Sequence, residues 1–349
     1  MSALFAIWAL VASGFTAVTL WRLSRASRGV VADAPPPTLL IRPVDRPTPL
    51  ELENLAAPLP LAVMQVVVSP SREHLSPGLR WVHSDPHCAN RKVGHVLAAL
   101  AAFGVDGRRV AVVDADVRVD AALLSSLAAP LRQGAAMATA APLPEVRAGL
   151  AARALRGILA HGHHHFVALD AMSVGAKPAC GKAMMLGPAA LSELPALAHF
   201  LGEDLELARR LHARGERVAL ARAVARVPQP VDLPLRTVID RMTRWMQVLR
   251  AHRPALFPSV PLLFAPTPLL LLVAASLRTP ALIASTSVLV GLRTALALRL
   301  RPRASESWEW LLGECVLMVA AVRGLLRRRV VWRGRTYRIA AGGRIAEDA

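Results

Sequence analysis

Asp114 and Asp116 are separated by one alanine and follow directly on the apolar run Val110–Val113. Two carboxylates at the end of a buried strand suit a divalent cation, Mg2+ or Mn2+, and such a cation neutralises a departing diphosphate. An Asp-x-Asp also arises in ordinary turns, here with Asp120 as the cap of a following helix. A second acidic pair, Glu203-Asp204, follows Gly202 and opens a helix-like stretch to about Arg214. Acidic groups are favoured at a helix N-terminus for dipole reasons alone, yet a carboxylate is also the group that takes a proton from an attacking hydroxyl.

A third cluster, Arg241-Met242-Thr243-Arg244-Trp245, places Arg241, Arg244 and Trp245 at i, i+3 and i+4, on one helical face. Paired guanidinium groups suit a diphosphate, and an indole suits a sugar ring or the neck of a lipid. The alternative is a basic interfacial helix with a Trp anchor. In His161-Gly162-His163-His164-His165 the imidazoles invite a metal reading, but no Cys or Glu follows at ligand spacing. Read from the residues alone, the cluster is a solvated, polar helix end.

These residues need a scaffold. From Thr38, apolar runs typical of buried strands (TLLIRPV, AVMQVVV, RRVAVVDA, AAMATAAP) alternate with Ala/Leu-rich helical stretches, an α/β pattern with a mostly parallel sheet. Ligands of such sheets sit at the carboxyl ends of the strands, where Asp114 falls.

On either side the chain is apolar. Residues 3–21 are uncharged, about long enough to cross a bilayer, and are followed by RLSRASR; without a basic stretch before it, this reads as an uncleaved anchor over 1–24 rather than a signal peptide. A linker over 25–37 leads to a catalytic domain at 38–234 and an amphipathic interfacial helix at 235–254. A transmembrane or re-entrant region follows over 255–326, and a basic tail over 327–349. The apolar stretches are Ala255–Leu277 with four prolines, Ala281–Leu298 with Arg293, and Trp308–Leu326 with Glu314 and Arg323. The positive-inside rule asks for an even number of crossings among them, with the catalytic domain and the tail on the cytoplasmic side, as in a bacterial inner membrane.

Composition agrees with a membrane surface. The 349 residues are 54% hydrophobic with a formal net charge of +18, and the arginines crowd beside apolar runs (Arg22, Arg25, Arg28; Arg299, Arg301, Arg303; Arg327, Arg328, Arg329) rather than alternating with aromatics, which speaks against nucleic acid. Three cysteines at 88, 180 and 315 form neither a disulfide framework nor a zinc site. Lysine is restricted to Lys92, Lys177 and Lys182, so each lysine is informative.

The order Asp-x-Asp, Glu-Asp, Arg-x-x-Arg-Trp and hydrophobic stretches resembles the ceramide glucosyltransferase family and its bacterial relatives, including the hopanoid-associated glycosyltransferases, all of the nucleotide-sugar fold called GT-A. The resemblance runs from Leu39-Leu40-Ile41-Arg42-Pro43 through Arg91-Lys92-Val93-Gly94, the Asp114 region, Cys180-Gly181-Lys182, Glu203-Asp204 and the 241–245 motif to Trp332-Arg333-Gly334-Arg335-Thr336-Tyr337-Arg338. It implies an inverting transfer of one sugar, with glucose from UDP-glucose to ceramide as the first expectation and a hopanoid- or diacylglycerol-directed transfer from UDP-GlcNAc or UDP-glucose as the alternative. Asp204 would be the general base. Asp114 and Asp116 would bind the donor and its cation, and Arg241 and Arg244 the diphosphate. Lys92 would touch the nucleotide, Trp245 would line the meeting point of donor and acceptor, and Glu203 and His164 would face the acceptor.

One position departs from the family. Its first aspartate is expected after the second strand, where this chain has Pro70, with Glu73 as the nearest carboxylate. Loss of that hydrogen-bonding group would weaken recognition of the base and supports a rival reading as a degenerate, membrane-bound paralogue. A processive polysaccharide synthase shares the Arg-x-x-Arg-Trp motif, but two or three spans are too few to line a channel.

Overall fold

The computed structural model describes residues 1–25, 34–145, 149–172, 177–300, 306–327, 329–332 and 335–347. Most of the expected linker, together with Arg28, Arg301, Arg303, Arg328 and the Arg333-Gly334 pair, lies outside the described residues. The chain forms two compact units, one of Met1–Ser27, Val146–Ala171 and Gln229–Gly334 and the other of Arg28–Glu145, Met172–Pro228 and Arg335–Ala349.

The second unit is an α/β domain. Its strands are β1 (Thr38–Pro43), β2 (Val63–Ser69), β3 (Arg80–His83), β4 (Arg109–Val113), β5 (Met137–Thr139), β6 (Pro142–Glu145), β7 (Ala183–Leu186), β8 (Val218–Leu220) and β9 (Ala225–Pro228). The main sheet runs β3-β2-β1-β4-β7-β5-β8, and β6 pairs with β9 separately. β7 is antiparallel to both neighbours while the other pairings are parallel. The apolar runs foresaw β1, β2, β4 and β5, but not β3, β8, the β6–β9 pair or the antiparallel β7.

β1 and β4 are central and buried on both faces, which is why they read as unbroken apolar runs. On one face, Leu39, Ile41, Val110 and Val112 pack with Val93 and Val96 of α3 (Arg91–Phe103) and Leu207 and Leu211 of α7 (Glu203–Ala213). On the other, Leu40, Ala111 and Val113 pack with Leu124 and Leu127 of α4 (Ala121–Arg132). Shorter helices α2 (Pro49–Ala56) and α6 (Pro188–Glu193) complete this unit. The tail is not simply a basic extension: β11 (Arg335–Ile339) and β12 (Ile345–Glu347) form an antiparallel pair within it.

The other unit is helical. It holds α1 (Ser2–Arg25), α5 (Leu150–Met172), α8 (Leu235–His252), α9 (Thr267–Leu277), α10 (Pro280–Leu300) and α11 (Glu309–Leu326), with the short strand β10 (Arg329–Trp332) at its end. Among the described residues, two helices are long and apolar enough to cross a membrane, over Ser2–Arg22 and Pro280–Arg299. The proline-rich stretch does not form one long helix. It breaks into a π-helical turn at Val260–Phe264 and the 11-residue α9, which at 1.5 Å per residue spans roughly half of a hydrocarbon core of about 30 Å.

Small residues let α5 and α11 meet closely. A Cβ on Gly157 would sit 2.0 Å from the Glu309 carbonyl oxygen, and one on Gly313 would sit 2.6 Å from the Ile158 nitrogen. Within the candidate span α10, Arg293 is fully buried, its Nε 3.2 Å from Glu314 Oε1 and its terminal nitrogens bonded to His165 and to the Leu263 carbonyl. An ionised group in an apolar unit needs such partners.

The histidine cluster is corrected here. It lies in the middle of α5 rather than at a solvated end: His161 and His165 are buried, His161 stacked near Trp310 and His165 stacked on Phe15.

Candidate active site

Strand register assembles the acidic centre. β4 and β7 are antiparallel with Val113 opposite Ala183, so Asp114, the first residue beyond β4, stands beside Lys182, the last before β7. The Asp114 amide donates to the Lys182 carbonyl at 3.0 Å. Lys182 Nζ then reaches both aspartates, 2.6 Å from Asp116 Oδ2 and 3.1 Å from Asp114 Oδ2.

Lys92, in the first turn of α3, takes the other side of Asp114. Its Nζ lies 2.8 Å from Asp114 Oδ1, 3.0 Å from Glu203 Oε1 and 2.6 Å from the Gly181 carbonyl. Those three acceptors use all three donors of an ammonium. Burial opposes the charge on Lys92, but Asp114 and Glu203 outweigh it and hold the group above the usual lysine range. Burial likewise opposes the charge on Asp114, and Lys92 and Lys182 outweigh it, keeping the carboxyl below the usual range. The expected contact from Lys92 to a nucleotide would require it to release one of these partners.

The loop carrying the aspartates is pinned from beneath. Arg42, at the end of β1 and fully buried, donates from Nη2 to the carbonyls of Asp114, Ala115 and Val117 at 3.2, 3.1 and 2.7 Å. Asn54 Nδ2 joins it on the Ala115 carbonyl at 3.3 Å. Burial lowers the Arg42 pKa to about 10 against the pull of Asp116 and Asp114. Asp120 caps α4, accepting the Leu123 amide at 2.7 Å, so the turn-and-cap reading holds for Asp120 while Asp114 and Asp116 turn to the lysines.

Asp204 sits in the first turn of α7, with its Oδ2 accepting the Gly181 amide at 2.6 Å. A Cβ on Gly181 would lie 3.2 Å from both Glu203 Oε1 and Lys92 Nζ, so glycine allows this approach. Among the described residues Asp204 makes no ion pair. Burial and then the neighbouring Glu203 push its pKa up to about 7, against the lowering effect of Lys92 and the Leu205 and Gly181 amides. Glu203 itself is turned inward, to Lys92 and to Asn90 Nδ2 at 3.1 Å.

The tail holds the segment before this pair. Leu201 donates to the Gly343 carbonyl at 2.9 Å, Ile345 donates to the His199 carbonyl at 2.8 Å, and Phe200 and Arg344 form an antiparallel bridge. Asn90 Nδ2 ties the Phe200 carbonyl to the start of α3 at 2.7 Å.

Lys92, Asp114, Asp116, Glu203 and Asp204 are therefore brought together in the α/β unit. Arg241, Arg244, Trp245 and His164 belong to the helical unit. There Arg241 Nη1 donates to Gln229 Oε1 at 3.1 Å, and Trp245 packs partly buried against an apolar cluster that includes Leu155, Met242 and Val316. Pro70 directly follows β2, at the same end of the sheet as Asp114, and Glu73 is exposed in the next loop. Arg42, Asn90 and Lys182 were missed as site residues, although the scarcity of lysine that marked Lys92 marks Lys182 equally.

Both oxygens of Asp114 and Oδ2 of Asp116 face ammonium groups, while Asp116 Oδ1 is buried with no hydrogen-bond partner. Among the described residues no group of three or more His, Cys, Asp or Glu is placed to hold a metal. The pair fits a cation that draws most of its ligands from a bound diphosphate, the usual mode for Mg2+, rather than from an all-protein cage.

This sheet carries an Asp-x-Asp at the end of its central strand, together with a carboxylate in the first turn of α7 that makes no ion pair among the described residues, and the chain is a glycosyltransferase. The chain belongs to glycosyl transferase family 21, whose model matches residues 63–345. No curated protein sequence matches it. Among solved structures it is similar to the mannosyltransferase PcManGT from Pyrobaculum calidifontis in complex with GDP-Man and Mn2+, at 16% identity and a TM-score of 0.46, over 93% of this chain and 99% of that one.

Proposed function

We propose that this glycosyltransferase moves a single glucose from UDP-glucose to a membrane-lipid acceptor such as ceramide, with inversion at the anomeric carbon. The observation that carries the chemistry is Asp204, a carboxylate that makes no ion pair among the described residues and whose pKa of about 7 suits proton abstraction near neutrality. Asp204 takes the proton of the acceptor hydroxyl as its oxygen attacks the anomeric carbon. The bond to the diphosphate breaks, and UDP leaves with its electron pair. Asp114 and Asp116 would hold a divalent cation that supplies charge neutralisation to the diphosphate. Lys92, Glu203 and Asn90 keep the acidic centre and the start of α7 in register.

The roles of Arg241 and Arg244 toward the diphosphate, of Trp245 toward donor and acceptor, and of His164 toward the acceptor are proposed from their motifs alone. The lipid as acceptor, and a cytoplasmic catalytic domain on a multi-pass anchor, are supported by the two candidate spans and the flanking arginines.

Transfer from radiolabelled UDP-sugars to a panel of ceramide, hopanoid and diacylglycerol acceptors, with Asp204→Asn as control, tests this reading. Lipid extracts from cells with and without the gene, compared by mass spectrometry, identify the acceptor. Equal background from wild type and D204N with every donor and acceptor sinks the enzyme reading. Pro70 favours a second reading, a binding paralogue without turnover, and that same result would support it.

A further inference from the structure

Lys182 differs from Lys92 in a way that bears on how the site is filled. Lys92 is 7% exposed at its side chain and spends its donors on three fixed acceptors. Lys182 is 22% exposed and, among the described residues, pairs with the two aspartates alone, spanning Asp114 Oδ2 and Asp116 Oδ2. Its backbone is held by the β4–β7 register, but its ammonium sits at the end of a flexible four-carbon stem with one donor unspent. Between them the lysines cover three of the four carboxylate oxygens, leaving only Asp116 Oδ1, and no third acidic or imidazole ligand stands by among the described residues.

A divalent cation arriving alone would gain one uncovered oxygen and would meet a resident ammonium. One arriving on a nucleotide diphosphate brings its own oxygens, and their negative charge gives the displaced ammonium a new partner to donate to. We infer that Lys182 is a tethered counter-ion of the Asp114–Asp116 pair, which keeps a free divalent cation out and moves onto the diphosphate when cation and donor bind together. The site then fills in a set order, and Lys182 serves both states. This rests on the nucleotide-diphosphate reading above.

The test is binding rather than turnover. Mn2+ alone is titrated into the full-length protein and followed by the loss of its free-ion EPR signal, and UDP binding is measured by calorimetry with Mn2+ present. Wild type, Lys182→Gln and Lys182→Arg are compared, with thermal unfolding as the check on folding. K182Q is expected to bind Mn2+ alone about tenfold more tightly than wild type and UDP–Mn2+ about tenfold more weakly, a change of about 1.4 kcal/mol in each direction. K182R keeps the cation and should stay close to wild type in both measurements. Unchanged or weaker Mn2+ binding by K182Q, with UDP–Mn2+ still bound by wild type, overturns the counter-ion role alone. Absence of UDP binding by wild type overturns the donor reading, and the inference with it.

Discussion

The Oδ2 atom of Asp204 accepts the backbone amide of Gly181 at 2.6 Å, and this bond fixes the one acidic side chain of the centre that no cation neutralises among the described residues. The amide orients the carboxylate, while burial and Glu203 keep its proton affinity high. Held in this way, it can take up a proton and pass it on.

The pH dependence follows from that pKa. With Asp204 at about 7, kcat/KM should rise with pH through a single ionisation near neutrality and then level off, measured with saturating cation. Stability should move the other way. A carboxyl whose folded pKa lies above its unfolded value, about 3.9, binds a proton more readily when folded, so it costs stability as pH rises from about 4 to 7. D204N should therefore unfold at a higher temperature than wild type at pH 8 and at nearly the same temperature at pH 4, while losing transfer. A stabilising effect confined to pH 4 would contradict this.

Arg42→Met should collapse the aspartate loop. It leaves the Val117 carbonyl without its side-chain donor, takes one donor each from the Asp114 and Ala115 carbonyls, and removes a buried charge that faces Asp114 and Asp116, a loss of about 2–5 kcal/mol. Chemical denaturation checks the loss, and the UDP affinity of the surviving folded protein should fall with it.

Gly343→Val tests the tail. Gly343 has φ +80°, a conformation costly for a branched side chain, and its carbonyl holds Leu201 two residues before Glu203. The variant should lower kcat more than it raises KM for the donor, because the segment carrying Asp204 loses an anchor and the Asp114 loop does not. An unchanged kcat would show that the tail is dispensable for catalysis.

In the helical unit, Gly157→Val should destabilise by about 1–3 kcal/mol through overpacking, since its Cβ would collide with the Glu309 backbone of α11. Thermal unfolding in detergent reads this directly. Gly162→Ala, on the same helix with open space around it, is the control and should stabilise by up to about 1 kcal/mol, because alanine is the better helix former.

The family, the α/β class and the acidic pairs were legible in the residues themselves, because buried strands must be apolar and the groups that bear chemistry must be polar and stand just beyond them. Pro70 was legible for the same reason, as a proline cannot supply a carboxylate. The histidines misled. A helix of mixed Ala, Leu and His carries the same residue types whether its imidazoles face water or neighbouring rings, and only packing against Phe15, Trp310 and Arg293 distinguishes the two.

Local sequence therefore determined which side chains could do chemistry and roughly where strands, helices and apolar spans begin and end. Tertiary structure decided which of them meet. Asp114 and Lys182 are neighbours only because β7 runs antiparallel to β4, and Lys92 reaches Asp114 only because α3 packs on the face of that strand. The tail steadies Asp204 across more than a hundred residues of chain. Such pairings depend on register and packing between distant segments, and no local pattern of residues encodes them.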